Sequence, residues 1–97
     1  MARIRLYRDD EYKGGEVLVE GDVKDLQKEK GFGDVVSSVK VESGTFTLYQ
    51  DKDHGGYSLT VCKTGGKDSN GNYPNKQWLA GRGDVISSVK RNSDNPV

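Results

Sequence analysis

The sequence predicts an all-β fold in which short antiparallel strands form a sandwich or a barrel. Six short segments alternate apolar and polar residues and are rich in β-branched and aromatic side chains, as half-buried strands are. Glycine and aspartate interrupt these segments about every 8 to 12 residues, a spacing typical of turns in antiparallel sheets. The six predicted strands are RIRLY, GEVLVE, VVSSVKV, TFTLY, YSLTV and VISSVK.

Two motifs occur once in each half of the chain. The phrase GFGDVVSSVKV begins at Gly31, and GRGDVISSVKR begins at Gly81. Upstream of each phrase lies a turn-like motif of an aromatic residue, four residues, a second aromatic, one residue and glycine. These motifs span Tyr7–Gly14 and Tyr49–Gly56, with His54 in the second aromatic place. An internal repeat of this kind predicts two similar supersecondary units.

We predict a single domain, 1–97, made of these two units. The first would cover about 2–42 and the second about 44–91, because the segment VESGT between them is too short to separate domains. The second half is longer, and we assign the extra residues to the loop 64–77, which is rich in Gly, Asn, Asp and Ser.

Residue types predict a short helix, the burial of two side chains and a frayed C-terminal segment. The segment DVKDLQKEKG favours a short helix that Asp22 caps and Gly31 ends. Trp78 is expected to pack under the second half. Cys62 is expected at a buried or half-buried strand position, where a lone cysteine forms no internal disulfide. The tail NSDNPV is expected to fray.

Net charge and hydropathy indicate which classes of binding partner are expected. Fifteen basic and fifteen acidic side chains give no net charge, so neither a nucleic-acid backbone nor a membrane surface is an expected partner. The sequence shows no signal peptide and no apolar run long enough to span a membrane, which predicts a cytoplasmic protein. Since both units are present in one chain, we expect a monomer. The sequence does not identify a protein partner.

The serine motif offers the oxygen donors of a calcium site. An aspartate, two residues and Ser-Ser supply carboxylate, carbonyl and hydroxyl groups within one turn. Zinc would favour cysteine and histidine, of which the chain has one each. A serine nucleophile needs a nearby base, and one histidine cannot serve two copies of the motif, so we predict no enzyme activity. The same residues also build turns by bonding their own backbone, and a purely structural corner stays open here.

Together, the two duplicated motifs resemble the βγ-crystallin superfamily, whose members include calcium-binding proteins of microbes and invertebrates. The resemblance runs from Ile4 to about Val89. It implies a β-sandwich of two Greek-key motifs of four strands each. It also implies two Ca²⁺ ions held between paired loops, with each site taking its carboxylate from the opposite half.

Carried over to this sequence, the resemblance implies two ligand sets. The first site would use the Arg8 carbonyl, the Val35 carbonyl, the Ser37 hydroxyl and the Asp84 carboxylate. The second site would use the Gln50 carbonyl, the Val85 carbonyl, the Ser87 hydroxyl and the Asp34 carboxylate. Ser38 and Ser88 would hold the corners by hydrogen bonds rather than touch metal.

One departure from the family pattern bears on the affinity for calcium. The first motif position, which is Asn or Asp in the family, is glycine in both copies, Gly33 and Gly83. A rival interpretation is therefore a structural crystallin-type protein with weakened or silent sites. Another is an interaction module that binds a protein or a sugar through the loop 64–77, with Tyr73 as its anchor.

Overall fold

Two antiparallel sheets make up the described part of the structure, a computed structural model in which residues 2–33, 35–79 and 86–93 are described. The strands are β1 (Arg3–Asp9), β2 (Lys13–Val19), β3 (Ser38–Ser43), β4 (Thr45–Asp51), β5 (Gly55–Cys62), β6 (Asn72–Tyr73) and β7 (Ser88–Ser93). One sheet has the order β2-β1-β3-β6, and the other has the order β5-β4-β7. The predicted all-β sandwich is confirmed.

Helical structure in the described residues is confined to short segments between strands. The α-helix α1 covers Leu26–Lys30, and 3₁₀ turns cover Asp10–Tyr12, Lys52–His54 and Lys76–Leu79. The first two of these turns connect the strands of the β1–β2 and β4–β5 hairpins, and they are the segments that the repeated turn motif predicts.

Strand β1 alternates as the sequence predicts, whereas β4 buries the four successive residues from Thr45 to Leu48. The inward side chains of the strands form one core. In β1, Ile4 and Leu6 are fully buried. Arg3 and Arg5 lie on the opposite face, where Arg5 pairs with Glu42 at 2.7 Å. The inward residues of both sheets pack together because burial of their apolar surface is the main favourable term in folding. The largest fully buried side chains are Phe46, Ile4, Leu6, Leu26, Leu48, Leu79, Val19, Val36, Val39, Val41, Val61 and Val89.

The two halves of the chain interlock. Strand β6 of the second half pairs with β3 of the first, with Val39 opposite Tyr73. In return, Val23 of the first half forms a bridge with Val89 in β7, through hydrogen bonds of 2.8 and 2.9 Å. Each half therefore lends a segment to the sheet of the other, as in a pair of Greek-key motifs.

The short helix begins later than predicted. Its N-cap is Asp25, whose side chain accepts a hydrogen bond from the Lys28 N–H at 3.1 Å. The Asp22 carboxylate instead accepts from the Arg91 N–H at 2.8 Å, so it tethers β7. Gly31 ends the helix in the left-handed conformation at φ 69°, as predicted.

The structure revises the predictions for two aromatic residues. Trp78 is 41% exposed, because its neighbour Leu79 takes the buried position of the 3₁₀ turn. Tyr73 is only 7% exposed, and its hydroxyl accepts a hydrogen bond from the Cys62 N–H at 3.1 Å, so its predicted role as a surface anchor is wrong. Cys62 is half-buried at the end of β5, as expected. Of the tail expected to fray, Asn92 and Ser93 belong to β7, and 94–97 lies outside the described residues.

Candidate calcium loops

The first hairpin corner is a strained turn closed by two aromatic rings. Glu11 and Tyr12 have φ values of 57° and 63°, a left-handed conformation that costs energy for residues with a Cβ. The Tyr12 ring packs edge-on against Tyr7 at 5.6 Å between centroids. Gly14 has φ 81°, and a Cβ there would overlap the Asp9 carboxylate. The spacing of the aromatic and glycine residues is therefore dictated by the shape of this turn.

Ser38 holds the first corner from the neighbouring strand. Its hydroxyl donates to the Asp9 carbonyl at 2.6 Å and accepts from the Tyr12 N–H at 3.0 Å. The side chain is fully buried. One hydroxyl thus bonds both a backbone acceptor and a backbone donor of the turn.

The second corner repeats this arrangement. Asp53 and His54 have φ values of 57° and 61°, and the His54 ring packs against Tyr49 at 5.2 Å. The buried Ser88 hydroxyl donates to the Asp51 carbonyl at 2.6 Å and accepts from the His54 N–H at 3.1 Å. These contacts agree with the corner-holding role that the resemblance implies for the second serine of each pair.

The first serine of each pair lies beside the hairpin of its own half. The Ser37 N–H donates to the Tyr7 carbonyl at 2.9 Å, and the Ser87 N–H donates to the Tyr49 carbonyl at 2.8 Å. Arg8 and Gln50, the residues predicted to offer carbonyl ligands, follow those tyrosines directly in the chain. Each predicted serine is therefore bonded to the residue that directly precedes its predicted carbonyl partner.

Backbone contacts also tie each corner to the other half of the chain. The Glu11 N–H donates to the Pro74 carbonyl at 2.8 Å, and the Asp53 N–H donates to the Lys24 carbonyl at the same distance. In addition, the Leu26 N–H donates to the Ser87 carbonyl at 2.8 Å. Loops of the two halves are thus joined at both corners.

A cavity of about 240 Å³ lies between the halves at the second corner. Ser87 lines it from the second half, and Gly33, the residue before Asp34, lines it from the first. Ser87 and the residue before Asp34 therefore line the same open space, although they belong to opposite halves. The remaining lining residues are Asp25, Gln27, Lys28 and Lys52.

The charges around this cavity were not expected from the sequence. Lys52 lies 4.0 Å from the Asp25 carboxylate, and its side chain is 69% exposed. The equivalent position of the first corner is Asp10, so the two corners differ in charge at this point. The sequence contained evidence for this difference in charge, because Lys52 occupies the position of the repeated turn motif where the first copy has Asp10.

The described residues include five of the eight predicted ligands: Arg8, Val35, Ser37, Gln50 and Ser87. Ser37 is buried, while Val35 and Ser87 are half-buried. Asp34, Asp84 and Val85 lie outside the described residues, as does Gly83. Within the described ranges there is no cluster of three or more His, Cys, Asp and Glu side chains. The predicted sites rely on carbonyl and hydroxyl groups, with one carboxylate each.

The buried Tyr7 and the half-buried Tyr12 border the first corner. Burial, and secondly the charge of Glu16, raise the pKa of Tyr7 above its ordinary value. Burial is also the main cause that raises the pKa of Tyr12, followed by the charge of Glu11. Both phenols therefore stay neutral at physiological pH, and their rings serve as packing groups beneath the loop.

A sandwich of two interlocked Greek keys with paired serine-held corners defines a crystallin-type domain. The Beta/Gamma crystallin family model matches residues 3–91. A beta/gamma-crystallin from Ciona intestinalis is 38% identical over 91 residues, which cover 94% of this chain and 99% of that protein. The chain belongs to the beta/gamma crystallin family, whose members are in general structural and non-enzymatic.

Solved structures show the same architecture. A beta gamma crystallin from Ciona intestinalis superposes with a TM-score of 0.80 at 37% identity, covering 93% of this chain and 99% of that chain. A betagamma-crystallin from an archaeon gives a TM-score of 0.79 at 22% identity, with 94% and 98% covered. A betagamma-crystallin domain from Flavobacterium johnsoniae gives 0.66 at 28% identity, with 94% of each chain covered.

Membrane insertion by helices finds no support in the described ranges. None of the helices there is long and apolar enough to cross a bilayer.

Proposed function

We propose that this crystallin domain binds two calcium ions, one at each paired loop, and that calcium stabilises the fold. The observation that supports the proposal is the cavity lined by both Ser87 and Gly33, which are residues of opposite halves. Ser87 is a predicted ligand, and Gly33 directly precedes another, Asp34. The donor types fit, because calcium takes carboxylate, carbonyl and hydroxyl oxygens in flexible geometry.

The first site would consist of the Arg8 and Val35 carbonyls, the Ser37 hydroxyl and the Asp84 carboxylate. The second would consist of the Gln50 and Val85 carbonyls, the Ser87 hydroxyl and the Asp34 carboxylate. Water would complete the coordination of each ion. When bound, the ion supplies positive charge that links loops of both halves.

The two sites should differ in affinity. Lys28 and Lys52 line the cavity at the second corner, and a nearby ammonium group opposes a divalent cation. Asp25 offsets part of this charge through its pairing with Lys52. We therefore assign the weaker affinity to the site that contains Ser87.

A structural domain with silent sites is the second candidate, and the two lysines at the cavity are the observation that favours it. The two candidates differ in one measurable quantity, the heat released on addition of calcium. Neither requires catalysis.

Isothermal titration with calcium distinguishes them, with magnesium as the comparison ion. We expect two calcium ions per chain and unequal affinities. Ser37→Ala should remove the tighter site and Ser87→Ala the weaker one, because each loses its hydroxyl ligand while the change adds no volume. Ser58→Ala, on the exposed part of β5, is the matched control and should leave both sites intact. A heat of zero in the unsubstituted chain would favour the silent structural domain.

Binding should also raise thermal stability. A ligand that binds only the native state adds about 1.4 kcal/mol per site at ten times Kd. Two sites would add about 3 kcal/mol, which corresponds to a rise in Tm of roughly 10–20 °C for a domain of this size. The measurement compares the Tm of the protein in chelator with its Tm in saturating calcium, in the same buffer.

A further inference from the structure

Gly33 occupies the motif position where the family pattern has Asn or Asp, and its surroundings explain why it is glycine. Its φ is not among the left-handed values found at other glycines of the described chain, so backbone conformation does not require it. Space does. A Cβ at Gly33 would lie 2.6 Å from the Gln27 Cβ and 3.3 Å from the Gln27 Cα. The loop therefore passes directly over the helix at Gln27.

Gln27 also bonds the loop that it contacts. The Gly33 N–H donates to the Gln27 side-chain carbonyl at 3.2 Å. The same residue accepts the Gly31 N–H through its backbone carbonyl at 3.0 Å, as part of the helix C-cap. Two successive points of the loop are thus fixed to one helical residue, and the second of them directly precedes Asp34.

Gln27 lines the cavity that it shares with Ser87. Gln27 therefore borders the candidate site as well as the loop that it contacts. The sequence repeats the pairing, since Gln27 precedes Gly33 by six residues and Gln77 precedes Gly83 by six. The glycine and the glutamine thus occur together in both copies of the motif.

We infer that Gln27 is a positioning residue for the calcium site at Ser87, because it holds the loop that leads to Asp34. Its amide oxygen accepts from the Gly33 N–H and thereby restricts the loop before the ion binds. The inference rests on the proposed calcium function. It predicts that the glycine does not by itself silence the site.

The test compares Gln27→Met with Gln27→Glu. Methionine keeps the length and the helix propensity of glutamine but removes the acceptor, while glutamate keeps an acceptor for the Gly33 N–H. Both are made in a Ser37→Ala background, where binding reports on the Ser87 site. We expect Gln27→Met to weaken calcium binding about threefold to tenfold, in the lower range of partners that orient metal ligands. Gln27→Glu should bind at least as tightly as the parent.

The matched control places Gln27→Met in a Ser87→Ala background, where only the other site remains, and there the Kd should change less than about twofold. Within each serine background, melting in chelator should be the same with and without the change at Gln27, which a purely structural role would not predict. Equal losses at both sites together with a lower Tm in chelator would overturn the inference, as would an unchanged Kd at the Ser87 site. Failure of the proposed function would instead appear in the unsubstituted chain, as an absence of calcium binding, and the inference would fall with it.

Discussion

Removal of the Ser38 hydroxyl should destabilise the domain strongly, although the change is small. In Ser38→Ala the Asp9 carbonyl loses its donor at 2.6 Å and the Tyr12 N–H loses its acceptor at 3.0 Å. Each buried backbone group left without a partner costs about 1–3 kcal/mol. Both bonds are only partly buried, so water can replace some of the loss. We therefore expect a total of about 2–4 kcal/mol, a large share of the roughly 5–15 kcal/mol of a typical domain.

Equilibrium unfolding in urea measures this loss directly, with chelator present so that metal plays no part. The denaturation midpoint should fall while the m-value stays constant, since the native surface does not change. Ser88→Ala should cost the same, because its hydroxyl makes the equivalent pair of bonds to Asp51 and His54. Ser58→Ala, an exposed serine of β5, should stay within about 0.5 kcal/mol of the parent. If Ser38→Ala lost no more stability than Ser58→Ala, the corner-holding role would be refuted.

Three further predictions concern the turn, the core and the cavity. Gly14→Ala should destabilise by about 2 kcal/mol or more in urea unfolding, since φ is 81° and the new Cβ overlaps the Asp9 carboxylate; an effect below about 0.5 kcal/mol would contradict this. Burial raises the pKa of Tyr73, so the unfolded phenol releases its proton first, and stability should fall as pH rises above about 10. Tyr73→Phe should lower stability at neutral pH but flatten that alkaline decline, and an unchanged slope would exclude Tyr73 as its source. Lys52→Gln should tighten calcium binding at the Ser87 site about twofold to fivefold at low salt and less at high salt, whereas a salt-independent effect would speak against a charge mechanism.

The strands and corners could be predicted because their signals are local or repeated. Alternation identifies a strand such as β1 from its own residues. The role of the corner serines could be predicted because Ser38 and Ser88 occupy equivalent positions of a duplicated sequence motif. The structure adds the bonds that explain the duplication, since each serine completes the turn of its own half.

Long-range contacts account for what the sequence did not reveal. Asp22 and Asp25 are both suitable helix caps by residue type, and the bond of Asp22 to the Arg91 N–H decides between them. Trp78 and Leu79 are adjacent apolar residues, and hydrophobicity does not say which of them a 3₁₀ turn buries. The polar composition around Tyr73 concealed its pairing with β3.

The candidate site was likewise predictable only in part. The nearness of each first serine to its own hairpin follows from the repeat, and the backbone bonds of Ser37 and Ser87 agree with it. The cavity residues Gln27 and Lys52 approach Ser87 only through the interlocked fold. The carboxylate ligands Asp34 and Asp84 lie outside the described residues and stay predictions.

A crystal structure of the calcium-loaded chain tests the central claim most directly, because it locates each ion and its ligands. We predict two calcium ions at about 2.3–2.6 Å from their oxygen ligands. One should be bound by the Ser37 hydroxyl with the Asp84 carboxylate, and the other by the Ser87 hydroxyl with the Asp34 carboxylate. Crystals grown in saturating calcium that showed no ion at either serine, or that paired a serine with the aspartate of its own half, would contradict the account.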